Sequence, residues 1–383
     1  MKKIKAICLS MLVLSMLFLT GCWNYREVDT LGIVAGVAID KGEQGLKYHV
    51  TFEVLDLSGG SKSPAKPKLI ETEGDTVFDA VRNAIKSSEK KLFFSDCKVV
   101  ILSSDLAAEG IQPVLDWFAR DTEPRLTLNL MVSNEKTAEA ILDKENSGED
   151  IASFKIADMI DHDISFLAKS PKVELYQAYN KLEGKGVSLV LPSIKIDKKK
   201  TGSFLDLSGT SVFKKDKLIG FLDNDDSKFF LFATGKVKGG LFLTKVDSAD
   251  TNISLEISGS ETKITPVMSN GQLSMKIDIK VKAAMGEDNT GGGKLTKDAI
   301  EVIQKSAEKQ LTEGVSGIIQ RVQKQYDSDI FGFGTLVYQT DPVFWQKVEP
   351  EWDKIFASLK CDVTAKVEIE NTATAKIKEK GSE

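Results

Sequence analysis

Apolar positions recur along this chain with two different periods. Residues 30–39, TLGIVAGVAI, are almost continuously apolar and predict a buried strand. A turn signal follows at Lys41-Gly42-Glu43-Gln44-Gly45. Leu46, Tyr48, Val50, Phe52 and Val54 then alternate with Lys47, His49, Thr51 and Glu53, which predicts a half-buried strand closing a hairpin. Residues 58–68 are rich in Gly, Pro and Ser and predict a surface loop. At Thr76 the period lengthens to that of a helix. Asp79 stands three residues on, as in a capping box, and Val77, Val81, Ala84 and Ile85 share one face. Strands at 98–102 and 126–132 alternate with helices at 104–120 and 135–142; helical stretches at 150–167 and 174–182 precede a strand at 189–196. Such alternation is the signature of an α/β layer domain.

The charged run at 197–202 is the first predicted boundary. After it, 209–222 reads as a hairpin, and the stretch to about 246 as a middle module too short for a large core of its own. In the last third, Ile253, Leu255 and Ile257 alternate with polar residues. Asn270-Gly271 is a strong two-residue turn, and Leu273, Met275, Ile277, Ile279 and Val281 resume the alternation. A long helix carries Ile300, Ile303, Ala307, Leu311, Val315, Ile318, Val322 and Tyr326 on one face, and a second carries Trp345, Val348, Trp352, Ile355 and Leu359. A strand with Val363, Ala365, Val367 and Ile369 closes the chain. The expected architecture is mixed α/β, or α+β, in three domains: 22–197, a small 198–250, and 251–378. The last is expected to be an antiparallel sheet with two long helices, in the order β-β-β-α-α-β.

The first 21 residues follow neither period. Lys2, Lys3 and Lys5 precede an uncharged run from Ala6 to Thr20, the pattern of an export signal and too short for a comfortable bilayer span. Leu19-Thr20-Gly21-Cys22 resembles the lipobox of bacterial lipoproteins. In that class cleavage falls between the small residue and the cysteine, here Gly21 and Cys22. The Cys22 sulfur then carries a diacylglycerol, and its amine a further acyl chain. Two or three chains hold a protein firmly to a membrane where one is marginal. The expectation is a chain beginning at Cys22, anchored to the outer face of the cell membrane.

The 383 residues are 42% hydrophobic and 28% charged, ordinary for a globular protein. The formal charge of −5 becomes more negative by three once the signal lysines leave, which argues against nucleic-acid binding. Of four cysteines, Cys8 leaves with the signal and Cys22 takes lipid, so Cys97 and Cys361 remain as a disulfide or as two buried thiols.

No catalytic pattern in the sequence is complete. His49 lies on the polar side of its strand. Asp161-His162-Asp163, with Asp158, reads more readily as an acidic helix end than as a metal site. Asp223-Asn224-Asp225-Asp226 suggests a calcium loop, but Lys228 and Thr234 occupy the positions that need glycine and glutamate. Gly291-Gly292-Gly293-Lys294 lacks the first glycine and the Ser or Thr of a phosphate loop. Val212 and Phe213 follow Gly209-Thr210-Ser211, so no nucleophile elbow forms. Phe331 and Phe333, spaced by Gly332 and Gly334, and Trp345 and Trp352 read as core, with the glycines permitting close packing. No catalytic residue, metal or cofactor is expected.

Four stretches in order carry a family resemblance. They are Cys22-Trp23-Asn24-Tyr25-Arg26-Glu27 with LGIVAGVAIDK; KLFFSDCKVVILSSDLAAEGI; GTSVFKKDKLIGFL; and SDIFGFG with the tryptophan helix. Over nearly all of the mature chain they resemble the Ger(x)C family, the C-subunit lipoproteins of spore nutrient-germinant receptors. The resemblance implies a non-enzymatic, three-domain lipoprotein on the outer face of the spore inner membrane. It also implies two partners, a polytopic A-type subunit and a permease-like B-type subunit, and a role in nutrient-triggered germination. A histidine that the family pattern places near Asp96 is absent, so no role is carried over there. Only Cys22 transfers as a functional residue; Trp23, Tyr25 and Arg26 are placed to meet the membrane interface, or to serve as a plain tether. The competing expectation is a solute-binding lipoprotein serving a transporter, which would usually show two similar lobes around a cleft.

Overall fold

A computed structural model describes residues 3–5, 7, 30–43, 45–57, 65–146, 150–200, 202–246, 251–288 and 296–371. Its first half is built on β1 (Leu31–Lys41), the apolar run anticipated above, which pairs antiparallel with β2 (Tyr48–Asp56). A third strand, β3 (Lys66–Gly74), continues the antiparallel ribbon where the sequence suggested loop up to Lys68. Its polar residues and Pro67 hid it, and an edge strand tolerates both. Next come α1 (Val77–Asn83), α2 (Ile85–Ser88), the short β4 (Lys91–Phe93) beside β1, and β5 (Val99–Ser103). The Thr76 side chain accepts from the Asp79 N–H and caps α1, as its spacing predicts.

The predicted helix at 104–120 is two helices, α3 (Ser104–Glu109) and α4 (Gln112–Arg120). They are divided at Gly110, whose φ of 131° cannot continue a helix. Then follow β6 (Asn129–Ser133), α5 (Glu139–Asn146), α6 (Ala152–His162) with a π-helical turn at Asp163–Leu167, and α7 (Leu175–Glu183). The strands β1, β5, β6 and β7 (Val190–Lys199) run parallel, and helices cover both sheet faces. On one face lie Val100, Leu102, Leu130 and Val132; on the other lie Val99, Ile101 and Met131. The expectation of a half-buried β2 therefore changes. Thr51 and Glu53, on its polar side, are as buried as Phe52.

The charged run at 197–202 lies within a hairpin of this same sheet, Asp197 to Lys199 pairing with the strand that follows. β8 (Gly202–Lys214) pairs with β7, and β9 (Lys217–Leu222) pairs with β8, giving the order β3-β2-β1-β5-β6-β7-β8-β9. The segment expected as a middle module is shared out. Its hairpin extends the first sheet, α8 (Asn224–Ala233) bridges to the second core, and β10 (Gly240–Val246) opens the second sheet.

In that second sheet β10, β11 (Thr251–Ser269) and β12 (Gln272–Asp288) are antiparallel. Asn270 and Gly271 turn the hairpin at φ 50° and 76°, as a primed turn requires. The predicted long helix is α9 (Lys297–Gln325), whose Ile303, Leu311, Val315, Ile318 and Val322 are buried. A helix the sequence did not announce, α10 (Phe333–Thr340), comes next, and the predicted second helix from Trp345 to Leu359 is broken into α11 (Pro342–Val348), a 3-10 turn at Glu349–Glu351, and α12 (Trp352–Ser358). Pro342 and Pro350 withhold backbone donors and impose the breaks. The last strand, β13 (Lys360–Asn371), lies parallel to β12, so the sheet is mixed and not antiparallel as expected. The helical crossover between the two strands brings the chain back in the same direction.

Candidate functional site

Gly21 and Cys22, the expected cleavage and lipid-attachment residues, lie outside the described residues, as do Trp23, Tyr25 and Arg26. The other positions weighed in the sequence are placed by the fold. Asp163 turns inward and accepts from the Lys169 and Ser170 N–H groups at 3.0 and 2.8 Å. Burial raises its carboxyl above the usual range. His162 is exposed against the Phe166 ring, and Asp161 binds Lys172 at 2.7 Å, so the Asp-His-Asp triplet diverges. Asp223 caps α8 by accepting from the Asp226 N–H, and Asp226 pairs with Arg321. The calcium-like run is a helix start.

His49 gains neighbours that its spacing does not announce. With Glu71 on β3 and Glu139 on α5 it offers three donor atoms all within 4.8 Å of one another. Burial first, and the Glu71 charge second, raise the Glu139 carboxyl. A cation there would relieve that repulsion, yet three donors are about half of what calcium takes.

Cys97 is buried in the first core and Cys361 packs against the second; both thiols are free. Burial pushes each to about 12, so neither is a ready nucleophile.

The two halves meet around Asp329. This buried carboxylate accepts from the N–H groups of Phe331, Gly332, Phe333 and Gly334, and from the Trp352 indole at 3.1 Å. Four of these donors pull its pKa down, but burial outweighs them and pushes it up to about 6. Gly334 is needed at this point, since a Cβ there would stand 2.7 Å from the Gly186 Cα and from the Trp352 Nε1. The anticipated close approach of glycine backbone is thus real, although Gly332 starts a helix and the segment is not extended. Phe331 and Phe333 stack at 5.2 Å, and Trp345 and Trp352 are buried beside each other, as a core reading expects.

Beside this junction is a cavity of about 580 Å³, within the range of small-molecule sites. One wall comes from the π-helical turn, the following loop and α7; the other comes from Phe230, Leu231, the end of α8 and Phe331. Lysines 172, 181, 236 and 238 project around it. Lys172 is held by Asp161, while the other three have no carboxylate partner among the described residues. A concavity of about 340 Å³ on the second sheet is smaller and lies on strand side chains alone, with Lys276 and Thr364 both bound to Asp278. The seam cavity is the stronger candidate site. No single motif announces it, because its residues come from segments up to 167 positions apart, Ile164 to Phe331.

Among the described residues no helix is long and apolar enough to cross a membrane. Two family models match the chain: a spore germination protein N-terminal domain over residues 24–196, and a spore germination B3/GerAC-like C-terminal domain over residues 208–373. Spore germination protein B3 of Bacillus subtilis is 26% identical over 373 residues, covering 94% of this chain and 96% of that protein. Spore germination protein KC of the same organism is 24% identical, covering 96% of each. The crystal structure of the GerBC protein matches the fold with a TM-score of 0.59 at 24% identity, covering 88% of this chain and 97% of that one. Likeness in both halves, in the same order and over nearly the full length, places this chain in the Ger(x)C family of spore germination proteins.

Proposed function

We propose that the chain is a non-enzymatic, lipid-anchored subunit of a spore nutrient-germinant receptor, working with polytopic A-type and permease-like B-type subunits. The observation that carries this is the match to spore germination proteins through both halves of the chain. The lipobox-like Leu19-Thr20-Gly21-Cys22 supports an anchor at Cys22 on the outer face of the spore inner membrane. Eight residues separate Cys22 from β1, so the folded body stays within about 30 Å of the attached sulfur. A subunit so tethered is suited to contact membrane-embedded partners.

Nutrient-triggered dipicolinate release from spores lacking the gene, against complemented spores, tests the role. Loss of response to one nutrient class, with a non-nutrient trigger still effective, is expected; an unchanged response to every nutrient would refute it. The anchor has its own test. Cys22→Ala should move the protein from the membrane fraction to the soluble one, and retention in the membrane would contradict lipid anchoring at that sulfur.

A further inference from the structure

We propose that the seam cavity is a binding site for a small organic anion with an apolar body, its charge met by Lys181, Lys236 and Lys238. The inference stands apart from the receptor assignment and can fail while that assignment holds.

The cavity has two chemically distinct parts. Phe230, Leu231, Ile330 and Phe331 supply an apolar floor drawn from the second core. Lys181 reaches in from α7, while Lys236 and Lys238 follow the end of α8. Proteins rarely gather cations in a recess without acids, because each charge there raises the cost of the next. Acids are close at hand, yet they are engaged elsewhere. Glu174 caps α7 in a reciprocal box with Gln177, Asp163 accepts from two backbone N–H groups, and Asp161 holds Lys172. None of the three lysines pairs with a carboxylate among the described residues, although Glu174, held in its cap, also lines the cavity.

Lys181 shows the consequence. It is only half-buried, but desolvation, and after it the Lys236 charge, lower its pKa to about 8. An anion entering the cavity would offset both effects at once. The volume of about 580 Å³ admits an aromatic or branched carboxylate with room for water, and the apolar floor favours such a body over a bare inorganic ion. The anion could come from solution or from a lipid headgroup, since both present the same charge and an apolar attachment.

Calorimetric titration of the purified full-length chain tests this with benzoate, inorganic phosphate, benzylamine and short-chain phosphatidylglycerol. Benzoate is expected to saturate one site, phosphate to bind more weakly, and benzylamine not to compete. Lys236→Gln, an exposed position that leaves the core intact, should weaken benzoate by roughly 10-fold or more, the loss of one charge-assisted contact. Independently, acetic anhydride labelling of Lys181, mapped by mass spectrometry, should fall when benzoate is present. Tighter binding of phosphatidylglycerol, displacing benzoate, would support the site and assign its anion to lipid. Absence of saturable binding by both anions would overturn the proposal. So would benzylamine binding equal to benzoate, or benzoate affinity unchanged by both Lys181→Gln and Lys236→Gln.

Discussion

At the scale of single residues, the buried acids define the chemistry of this fold. Asp329 holds five N–H donors and has its pKa pushed up to about 6. An unfolded aspartate titrates near 3.9, so the folded state binds the proton more tightly. The sign follows: this group adds stability at low pH that is lost as pH rises from about 4 to about 6, a swing of about 3 kcal/mol. Asp329→Asn removes the titration and one of the two acceptor oxygens. The gap in unfolding free energy between the native chain and Asp329→Asn should therefore widen as pH falls from 7 to 4.5, measured by urea denaturation. A gap independent of pH would show that Asp329 is not shifted.

At the scale of elements, two helices begin on acids borrowed from strands. Glu53 of β2 accepts from the Ala152 and Ser153 N–H groups at 2.7 and 2.9 Å, capping α6 from about a hundred residues away. Asp40 of β1 does the same for the Ala138 and Glu139 N–H groups at the start of α5. Helix N-termini present unsatisfied donors and a partial positive charge, which a carboxylate meets twice over. A glutamine has one oxygen for two donors and turns its NH2 toward the other. Glu53→Gln should thus cost about 1–3 kcal/mol and loosen α6 first. Hydrogen exchange at residues 152–162 reads this directly. Unchanged protection there would mean that packing alone fixes the helix.

At the scale of the whole molecule, a dense seam joins the two sheets. The Ser188 N–H donates to the Asp329 carbonyl at 2.7 Å, and the Thr335 N–H to Gly186 at 3.0 Å. Lys214 reaches Asp327 and Asp353 at 3.0 and 3.1 Å. Gly186 sits at φ 66°, and a Cβ on it would strike the Gly334 backbone. The native chain should accordingly unfold in one calorimetric transition. Gly186→Val should separate the halves, splitting that transition in two and costing about 1–3 kcal/mol by overpacking. A single sharp transition in the variant would place the coupling elsewhere. The same seam creates the lysine-ringed cavity, which neither half contains alone.

Local pattern alone fixed much of this protein. The period-two runs gave β2, β11 and β12, the Asn270-Gly271 pair gave their turn, and the apolar stripe gave α9 almost to its ends. The lipobox-like motif is likewise read from adjacent residues. Tertiary structure decided the rest. Whether Glu53 faced water or a helix N-terminus depended on α6, about a hundred residues away. The direction of β13 depended on how α9 to α12 returned the chain, and the charged run at 197–202 proved to be part of a hairpin because β8 found β7. The grouping of His49 with Glu71 and Glu139, and of Lys181 with Lys236 and Lys238, arose only when distant segments met. Sequence periodicity reports which face of an element seeks apolar company; which element supplies that company is settled by packing across the whole chain.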